Sequence, residues 1–269
     1  MLPVQQHTFT QTLYAIRPLE VTATRKEEEK EMIGKIYYIS PKIATEFLQP
    51  RHYSGRKPQI SEAFGLYDCN GDEFGLPNIS HLKAVCTFGK PASPSLCIGI
   101  CGKEHSSSVY ELNRLCRVDD WNEPLSIFVG ACLRRLKLNN WIVVSYADSG
   151  MNHNGYIYQA TNFLYTGKTK ARTDKYTEGN KHSRHYSNDS QGEFRKVRTA
   201  KYRYVYFCTS NKRLKKEWKN KLNYPILPYP KEENKNYRLG EYQLPLLVKN
   251  QNARTAYNSR LPQALTSQR

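Results

Sequence analysis

The clearest pattern in the sequence is a regular recurrence of apolar residues in the middle of the chain. Over residues 125–136 they return at the spacing of one helix face, and a pair of asparagines after them would end that helix. The next residues, 141–147, are almost all apolar, which is typical of a strand buried on both faces. A second helix is predicted over residues 154–164, where the apolar residues share one side.

Short strand patterns separated by turn residues precede the first of these helices. A strand is predicted at residues 35–39, and Ser40-Pro41 then supplies an N-cap and a first-turn proline for a helix. Pro50 is expected to end that helix near Gln49, which places His52 in the loop that follows. Further strands are predicted at residues 63–68, 81–89, 96–102 and 108–118.

This order of elements predicts an α/β (α+β) fold in which a mixed central sheet is flanked by helices. A basic strand and helix are expected as a C-terminal extension of that fold. The chain divides into an N-terminal extension (1–33), one domain (34–231) and a polar C-terminal tail (232–269).

Positive charge is concentrated in one part of the domain. The formal net charge is +17, and residues 168–231 carry 18 Lys and Arg against five Asp and Glu. We call this segment the basic strap. Such an excess favours a polyanionic partner, because each neutralised phosphate releases condensed counterions. Nucleic acid is the first candidate, and an anionic membrane surface is the second.

Tyrosines alternate with cations in the basic strap, which predicts stacking on nucleic-acid bases. A solvated strand and helix that merely carry charge would show the same composition. The tyrosines are Tyr176, Tyr186, Tyr202, Tyr204 and Tyr206. The predicted DNA contacts are Arg172, Arg184, His185, Arg195, Arg198, Lys201 and Arg203.

Other classes of protein are disfavoured by features that the sequence lacks. No apolar run is long enough for a transmembrane helix, and the first residues do not follow the pattern of a signal peptide. The seven cysteines form an odd set among mostly apolar neighbours, which indicates a reducing compartment, the cytoplasm. Cys97 and Cys101 have the spacing of half a zinc site, but no second pair completes it.

Two residues are candidates for chemistry from their position alone. Asp148 follows the buried strand directly, and ligands in open α/β sheets bind at that edge. An Asp that caps the next turn is an equally common reading. Ser126 lies in the first turn of the central helix, where free N–H groups bind anions. His182 and His185 suit substrate contact better than metal ligation, because no carboxylate cluster accompanies them.

Arg114 is a further candidate because its strand is otherwise mostly apolar on one face. By alternation its neighbours on that face are Tyr110, Leu112 and Cys116. An arginine there needs a bound anion, or a structural partner such as Glu111 or Asp119.

Five short segments, taken in order, carry a resemblance to a known family. They are Arg51-His52-Tyr53-Ser54, Glu111-Leu112-Asn113-Arg114-Leu115, Asn122 with Ser126, Ser145-Tyr146-Ala147-Asp148, and Gly155-Tyr156-Ile157-Tyr158-Gln159-Ala160. Together they resemble the phage Mom family, from about Lys35 to Lys231. Proteins of this family modify the exocyclic N6 amine of adenine in DNA, which shields phage DNA from restriction, and are related to the GNAT acyltransferases.

The resemblance implies double-stranded DNA with an adenine-containing site as the partner, a set of site residues and a GNAT-like fold. The implied catalytic residues are His52, Tyr53, Arg114, Asp148 and Tyr158, with Ser126 and Asn122 near the cofactor. Asp148 is the expected proton acceptor, with His52 as competitor. Arg114 would hold the donor, and the two tyrosines would enclose the adenine.

The donor stays open at this point. A GNAT relation implies acyl-CoA, but the typical pyrophosphate loop, Arg/Gln-x-x-Gly-x-Gly/Ala, is absent between Arg114 and Asn122. The donor is therefore unidentified, and a metal ion stays open as a cofactor.

Two other functions fit the same sequence features. One is a GNAT-like transferase that acts on tRNA or another acceptor. The other is a non-catalytic, DNA-binding anti-restriction protein, which would need the basic strap but neither Asp148 nor Arg114. An HNH-like nuclease is disfavoured, because no paired His/Asn metal motif occurs on a ββα pattern.

Overall fold

The computed structural model describes residues 34–52, 57–68, 81–176, 194–235 and 246–249. The strands are β1 (Lys35–Tyr38), β2 (Glu62–Tyr67), β3 (Leu82–Gly89), β4 (Val109–Arg117), β5 (Trp141–Asp148), β6 (Leu164–Lys168), β7 (Arg172–Lys175), β8 (Phe194–Arg198), β9 (Lys201–Cys208) and β10 (Leu247–Lys249). The helices are α1 (Pro41–Arg51), α2 (Pro94–Cys101), α3 (Leu125–Leu136), α4 (Tyr156–Ala160) and α5 (Lys212–Asn220).

Seven strands form one sheet, in the order β1-β2-β3-β4-β5-β9-β6, and a smaller sheet has the order β10-β8-β7. In the large sheet β4 and β5 are parallel, and α3 joins them as the crossover helix. The other neighbouring pairs of that sheet are antiparallel. The sheet is therefore mixed, and the predicted α/β class is confirmed.

Helices cover both faces of the large sheet. The predicted apolar stripe of α3 is confirmed, since Phe128, Cys132 and Leu136 are buried against the face that carries Val143. On the opposite face, α2 and α5 pack over β5 and β9, and α1 packs over β2 and β3. Each large apolar side chain so buried contributes about 1.5–3 kcal/mol relative to an exposed one.

Part of the basic strap lies inside this core. Its strand β9 lies between β5 and β6, paired with β5 from Trp141↔Cys208 to Asp148↔Lys201. Its helix α5 is fixed by Trp218, which is buried among Cys97, Ile100 and Phe207. The basic strand expected in the C-terminal extension is therefore an inner strand of the large sheet.

Residues 96–102, predicted as a strand, lie mostly in the helix α2. Pro94 supplies a first-turn proline, and Gly102 ends the helix with a φ of 91°. A short run that is apolar on all sides has no period that distinguishes a buried helix from a buried strand. Among the described residues, no helix has both the length and the apolar character needed to cross a bilayer.

Candidate active site between β4 and β5

A cavity of about 800 Å³ lies where β4 and β5 part. The two strands pair only from Val109↔Ile142 to Glu111↔Val144, although β4 continues to Arg117 and β5 to Asp148. The open end is formed by the carboxyl ends of both strands, where ligands commonly bind in α/β sheets. Side chains from other elements also line the cavity, among them His52, Asn122, His153, Tyr158 and Lys201.

A β-bulge in β4 decides which way Arg114 faces. Arg114 pairs with Thr87 but Leu112 pairs with Phe88, so Asn113 is the extra residue. Its side-chain amide donates to the carbonyl of Gln59 at 2.7 Å, and its Oδ1 accepts from the Thr87 hydroxyl at 2.7 Å. The polar contacts on both sides fix the bulge.

The bulge reverses the alternation of the strand. Leu112 and Leu115 pack in the same core cluster, whereas Cys116 packs in the α1 cluster on the other face. Arg114 therefore lies on the α1 face with Cys116, and the prediction that it shares a face with Tyr110 and Leu112 is wrong.

The end of α1 brings His52 to the cavity. Helix α1 runs to Arg51, two residues past the predicted end, because the fixed φ of Pro50 is compatible with its last turn. The His52 backbone N–H donates to the Leu48 carbonyl at 2.8 Å. Burial lowers the pKa of His52 to about 3, and the charge of Arg114 acts in the same direction. The imidazole is therefore neutral at physiological pH. Tyr53 lies outside the described residues.

Glu111 is a lining residue that sequence reasoning treated only as a partner of Arg114. It is the last β4 residue paired with β5, so its carboxyl lies at the point where the strands separate. Burial raises the pKa of Glu111, and the positive charges of Lys201 and Arg114 partly oppose this rise. The bulge that separates its face from that of Leu115 gives no signal in the sequence.

Asp148 lies beside the cavity and is engaged by its own neighbours. Its Oδ1 accepts from the Gly150 N–H at 3.0 Å and from the Thr199 hydroxyl, and its Oδ2 lies 3.6 Å from Lys201 Nζ. It caps the 3-10 turn Ser149–Met151 and is not among the residues that line the cavity. The alternative reading of Asp148 as a cap describes these contacts. Burial lowers the pKa of His153, and the charge of Asp148 opposes that shift.

Tyr158 reaches the cavity from a helix shorter than predicted. Helix α4 covers Tyr156–Ala160 only, because Asn162 adopts a φ of 62° and Leu164 begins β6. The Tyr158 ring lies in the cavity wall and packs against Phe163 and Tyr204, with ring centroids 5.4 and 5.3 Å away. The prediction of a helix to Leu164 is wrong.

The start of α3 forms another part of the wall. Asn122, Leu125 and Arg117 line the cavity there, and Pro124 is the N-cap. Ser126, predicted near the cofactor, lies in the first turn of α3 but is not among the lining residues.

The predicted DNA contacts that lie among the described residues occupy three places. Arg172, Arg195 and Arg198 lie in the small sheet, where Arg198 pairs with Asp174 at 2.8 Å. Lys201 lies at the cavity.

Arg203 is held by groups of its own fold. Its guanidinium donates to the Thr166 hydroxyl and carbonyl at 2.9 and 2.8 Å, and its Cζ lies 3.3 Å from the centroid of the Tyr224 ring. Arg184 and His185, like His182 and Tyr186, lie outside the described residues.

The tyrosines of β9 do not offer the stacking surface that the sequence predicts. Tyr202 and Tyr204 are buried in the core, and Tyr206 packs against Phe163 with ring centroids 5.2 Å apart. Alternation along a central strand places these rings under α3 and α4. The prediction that they stack on bases is wrong for Tyr202 and Tyr204.

Residues 223–235, which we call the closing segment, complete the cavity wall. The Leu227 N–H donates to the Tyr165 carbonyl at 2.9 Å, and the Lys235 N–H donates to the Asn152 carbonyl at 3.0 Å. Asn234 lines the cavity and accepts from the Asn154 N–H at 3.2 Å. Residues 232–235 therefore pack on the domain, although the polar tail was expected to begin at 232.

The cavity is polar, and both acidic and basic side chains line it. It brings together five predicted site residues, namely Arg114, His52, Tyr158, Asn122 and Lys201. In the part of the chain that the structure describes, no group of three or more His, Cys, Asp or Glu is placed to hold a metal ion.

No curated protein matches the chain. Residues 34–231 match the model of the Mom protein family. These residues include every cavity-lining residue described above except Asn234. The chain therefore belongs to the Mom protein family.

Proposed function

We propose that this protein attaches a small acyl or carbamoylmethyl-type group to the exocyclic N6 amine of adenine in phage DNA, and that this protects the DNA from restriction. Membership in the Mom family indicates the modification of phage DNA. The observation that supports the chemistry is the cavity between β4 and β5, where Arg114, Lys201, His52 and Glu111 lie together.

The cavity suits an extruded base. Adenine N6 is paired and stacked in a duplex, so an enzyme that reacts with it must flip the nucleotide, at a cost of a few kcal/mol. Pockets that enclose small molecules have volumes of about 300–1,000 Å³. A cavity of about 800 Å³ is in this range.

The reaction needs a proton acceptor, because N6 loses a proton as its new bond forms. In the proposed step the N6–H bond breaks and N6 bonds to the electrophilic carbon of the donor, which is the acyl carbon for an acyl group and the methylene carbon for a carbamoylmethyl group. The leaving group of the donor departs with the electron pair of its former bond. We assign the proton to Glu111, since a carboxylate whose pKa is raised by burial is a stronger base than an exposed one. This role replaces the one expected for Asp148.

Asp148 then acts through Lys201. Its Oδ2 lies 3.6 Å from the ammonium group, and the two residues face each other across β5 and β9. Lys201 and Arg114 supply the positive charge that would stabilise negative charge developing on the donor carbonyl. His52 is neutral at physiological pH, so it can accept a hydrogen bond from the base or donate one to it.

The chain supports only a part of an acyl-CoA site. The start of α3 and the guanidinium of Arg117 lie at the cavity and suit an anionic group of the donor. The glycine-rich loop that GNAT proteins use for pyrophosphate is absent. We therefore assign the donor only as a small molecule with an electrophilic carbon and a leaving group.

The experiment that tests this function is mass spectrometry of nucleosides from DNA of cells that express the protein. A mass-shifted deoxyadenosine is expected with the wild-type chain and should be absent with Arg114→Ala. An unchanged DNA profile beside altered tRNA nucleosides would favour the tRNA transferase. Protection from restriction without any modified nucleoside, retained in Arg114→Ala, would favour the non-catalytic protein.

A further inference from the structure

Tyr156 presents an exposed aromatic ring at the wall of the cavity. The residue is 63% exposed and lines the cavity at the start of α4. The other strongly exposed large hydrophobic residues in the described part of the chain do not line it. Among the remaining tyrosines considered for base contact, Tyr176 does not line the cavity, and Tyr53 and Tyr186 lie outside the described residues. The others pack on neighbouring rings, namely Tyr158, Tyr202, Tyr204 and Tyr206.

The backbone that carries this ring is fixed. The Tyr156 N–H donates to Asn154 Oδ1 at 2.9 Å, and Asn154 is itself buried. The Asn154 carbonyl accepts from the Tyr204 hydroxyl, and its side-chain amide donates to the Glu232 carbonyl of the closing segment. Core and closing segment together therefore hold the residue before Gly155.

Gly155 adds a second constraint on the position of the ring. Its φ is 85°, and a Cβ there would lie 2.3 Å from a ring carbon of Tyr204. The backbone thus approaches the core as closely as a glycine allows and turns sharply into α4. An aromatic ring on such a rigid backbone gives contact area at a low cost in conformational entropy.

We propose that Tyr156 is the ring on which the nucleobase extruded from the duplex stacks when it enters the cavity. This inference rests on the proposed function. Glu111, the proposed proton acceptor, and Lys201, which would act on the donor, line the same cavity. Tyr158 also lines the cavity, but it packs on Phe163 and Tyr204 and offers less open ring surface than Tyr156.

Stacking on an aromatic side chain contributes about 1–3 kcal/mol per base, and it tolerates any base because every base has a π-face. Tyr156 therefore supplies affinity for the extruded nucleotide and leaves the choice of adenine to the polar groups of the cavity. Loss of the ring should weaken the productive complex and not the chemical step within it.

The test compares Tyr156→Ala and Tyr156→Phe with the wild-type protein on a duplex that the wild-type protein modifies. Tyr156→Ala should raise KM for the duplex by about 5–150-fold, the equivalent of the stacking energy, with kcat within about threefold. Tyr156→Phe should retain the wild-type KM. Tyr38→Ala is the matched control, because Tyr38 is 51% exposed on β1 and does not line the cavity.

A second measurement reports stacking directly. The probe is the same duplex with 2-aminopurine at the target position, which lacks the 6-amino group and therefore cannot react. Its fluorescence should be quenched in the wild-type complex, because the base stacks on Tyr156, and bright in the Tyr156→Ala complex. Both measurements use protein whose thermal unfolding matches the wild-type chain, and Tyr156→Leu replaces Tyr156→Ala if the latter does not fold.

The outcomes separate this inference from the function on which it rests. Wild-type protein that modifies no DNA adenine contradicts the proposed function, and the stacking role is then lost with it. Wild-type activity together with an unchanged KM and equal 2-aminopurine fluorescence in Tyr156→Ala contradicts the stacking role alone. A loss of kcat at constant KM also contradicts it, since a stacking platform acts on binding.

Discussion

The buried hydroxyl of Ser145 donates a hydrogen bond to the backbone carbonyl of Leu112 at 2.9 Å, at the first step beyond the last paired residues of β4 and β5. A side chain thus takes the place of a ladder hydrogen bond where the strands begin to part. The bond satisfies a carbonyl that the parting strands would leave without a partner, and it sets the width of the cavity at its closed end. The position of Glu111 depends on this junction.

Ser145→Ala should therefore destabilise the fold by about 1–3 kcal/mol, the usual cost of leaving a buried polar group unpaired. It should also lower the modification rate, because the junction beside Glu111 loses its fixed geometry. Urea unfolding and a nucleoside assay measure the two effects. Ser106→Ala is the control, since that hydroxyl donates to the Lys103 carbonyl at 2.6 Å at the surface. Equal stability of the two variants would contradict the role of Ser145.

Glu111→Gln should reduce kcat by about 100-fold or more, the range in which general bases contribute, with DNA binding retained. The amide keeps the size of the side chain but cannot accept the N6 proton. Asp148→Asn should have a smaller effect on kcat, because it weakens the hold on Lys201 without removing the base. Single-turnover rates at saturating DNA measure both. A larger loss in Asp148→Asn than in Glu111→Gln would return the proton-acceptor role to Asp148.

The sequence predicted best those elements whose packing has a clear period. The α3 stripe and the β5 run were both found, since a helix face and a doubly buried strand leave a direct pattern. The start of α1 at Ser40 was found from its N-cap, whose side chain accepts from the Ile43 N–H at 3.3 Å. The sequence thus indicated the carboxyl end of β5 as a ligand-binding edge, and the cavity lies at that end.

Features that depend on contacts between distant segments could not be predicted in this way. The Asn113 bulge depends on Thr87 and Gln59, so the facing of Arg114 and the exposure of Glu111 to the cavity were missed. The aromatic and cationic alternation of β9 suggested a DNA surface, but a central position in the sheet buries its tyrosines. Asn234 enters the site only because the closing segment folds back on the domain.

The neutral state of His52 predicts a pH dependence of stability. The folded pKa is about 3, against 6.5 for an unperturbed histidine, so the unfolded chain binds this proton first as the pH falls. The contribution of neutral His52 to the free energy of unfolding is therefore fully present above about pH 6.5 and is lost as the pH falls toward about 3. The loss of stability from this residue should amount to roughly 2 kcal/mol between about pH 7.5 and about pH 5. Urea unfolding of His52→Gln should show a pH dependence smaller by that amount. Parallel curves for the two proteins would contradict the burial of His52.

Gly155→Ala should cost more stability than Gly102→Ala, although both glycines have a positive φ. At Gly102, with a φ of 91° and a ψ of 170°, a Cβ meets nothing within 4 Å, so only backbone strain of about 1–3 kcal/mol is expected. At Gly155 the Cβ would also meet the ring of Tyr204 at 2.3 Å. The loop that carries His153 must then shift, and activity should fall with stability. Equal unfolding midpoints, with activity retained in both, would show that this close approach is not required.

The small sheet should provide phosphate contacts whose contribution to DNA affinity decreases as the salt concentration rises. Arg172 has 73% of its side chain exposed, and Arg195 is oriented by bonds of 2.8 Å to the hydroxyl and carbonyl of Thr173. Each phosphate contact contributes about −0.9 to the slope of log K against log salt concentration for duplex DNA. Arg172→Gln and Arg195→Gln should each lower the slope by about that amount and weaken binding to all sequences alike.

Arg213→Gln is the matched control, because it removes the same charge from the exposed side of α5. The slope of log K against log salt concentration for this variant should equal that of the wild-type protein. A general effect of net charge would instead lower the slope by the same amount in all three variants. Titration of a fluorescent duplex at several salt concentrations separates these cases. A reduced slope in Arg213→Gln alone would assign DNA binding to α5, and would leave the small sheet without a part in it.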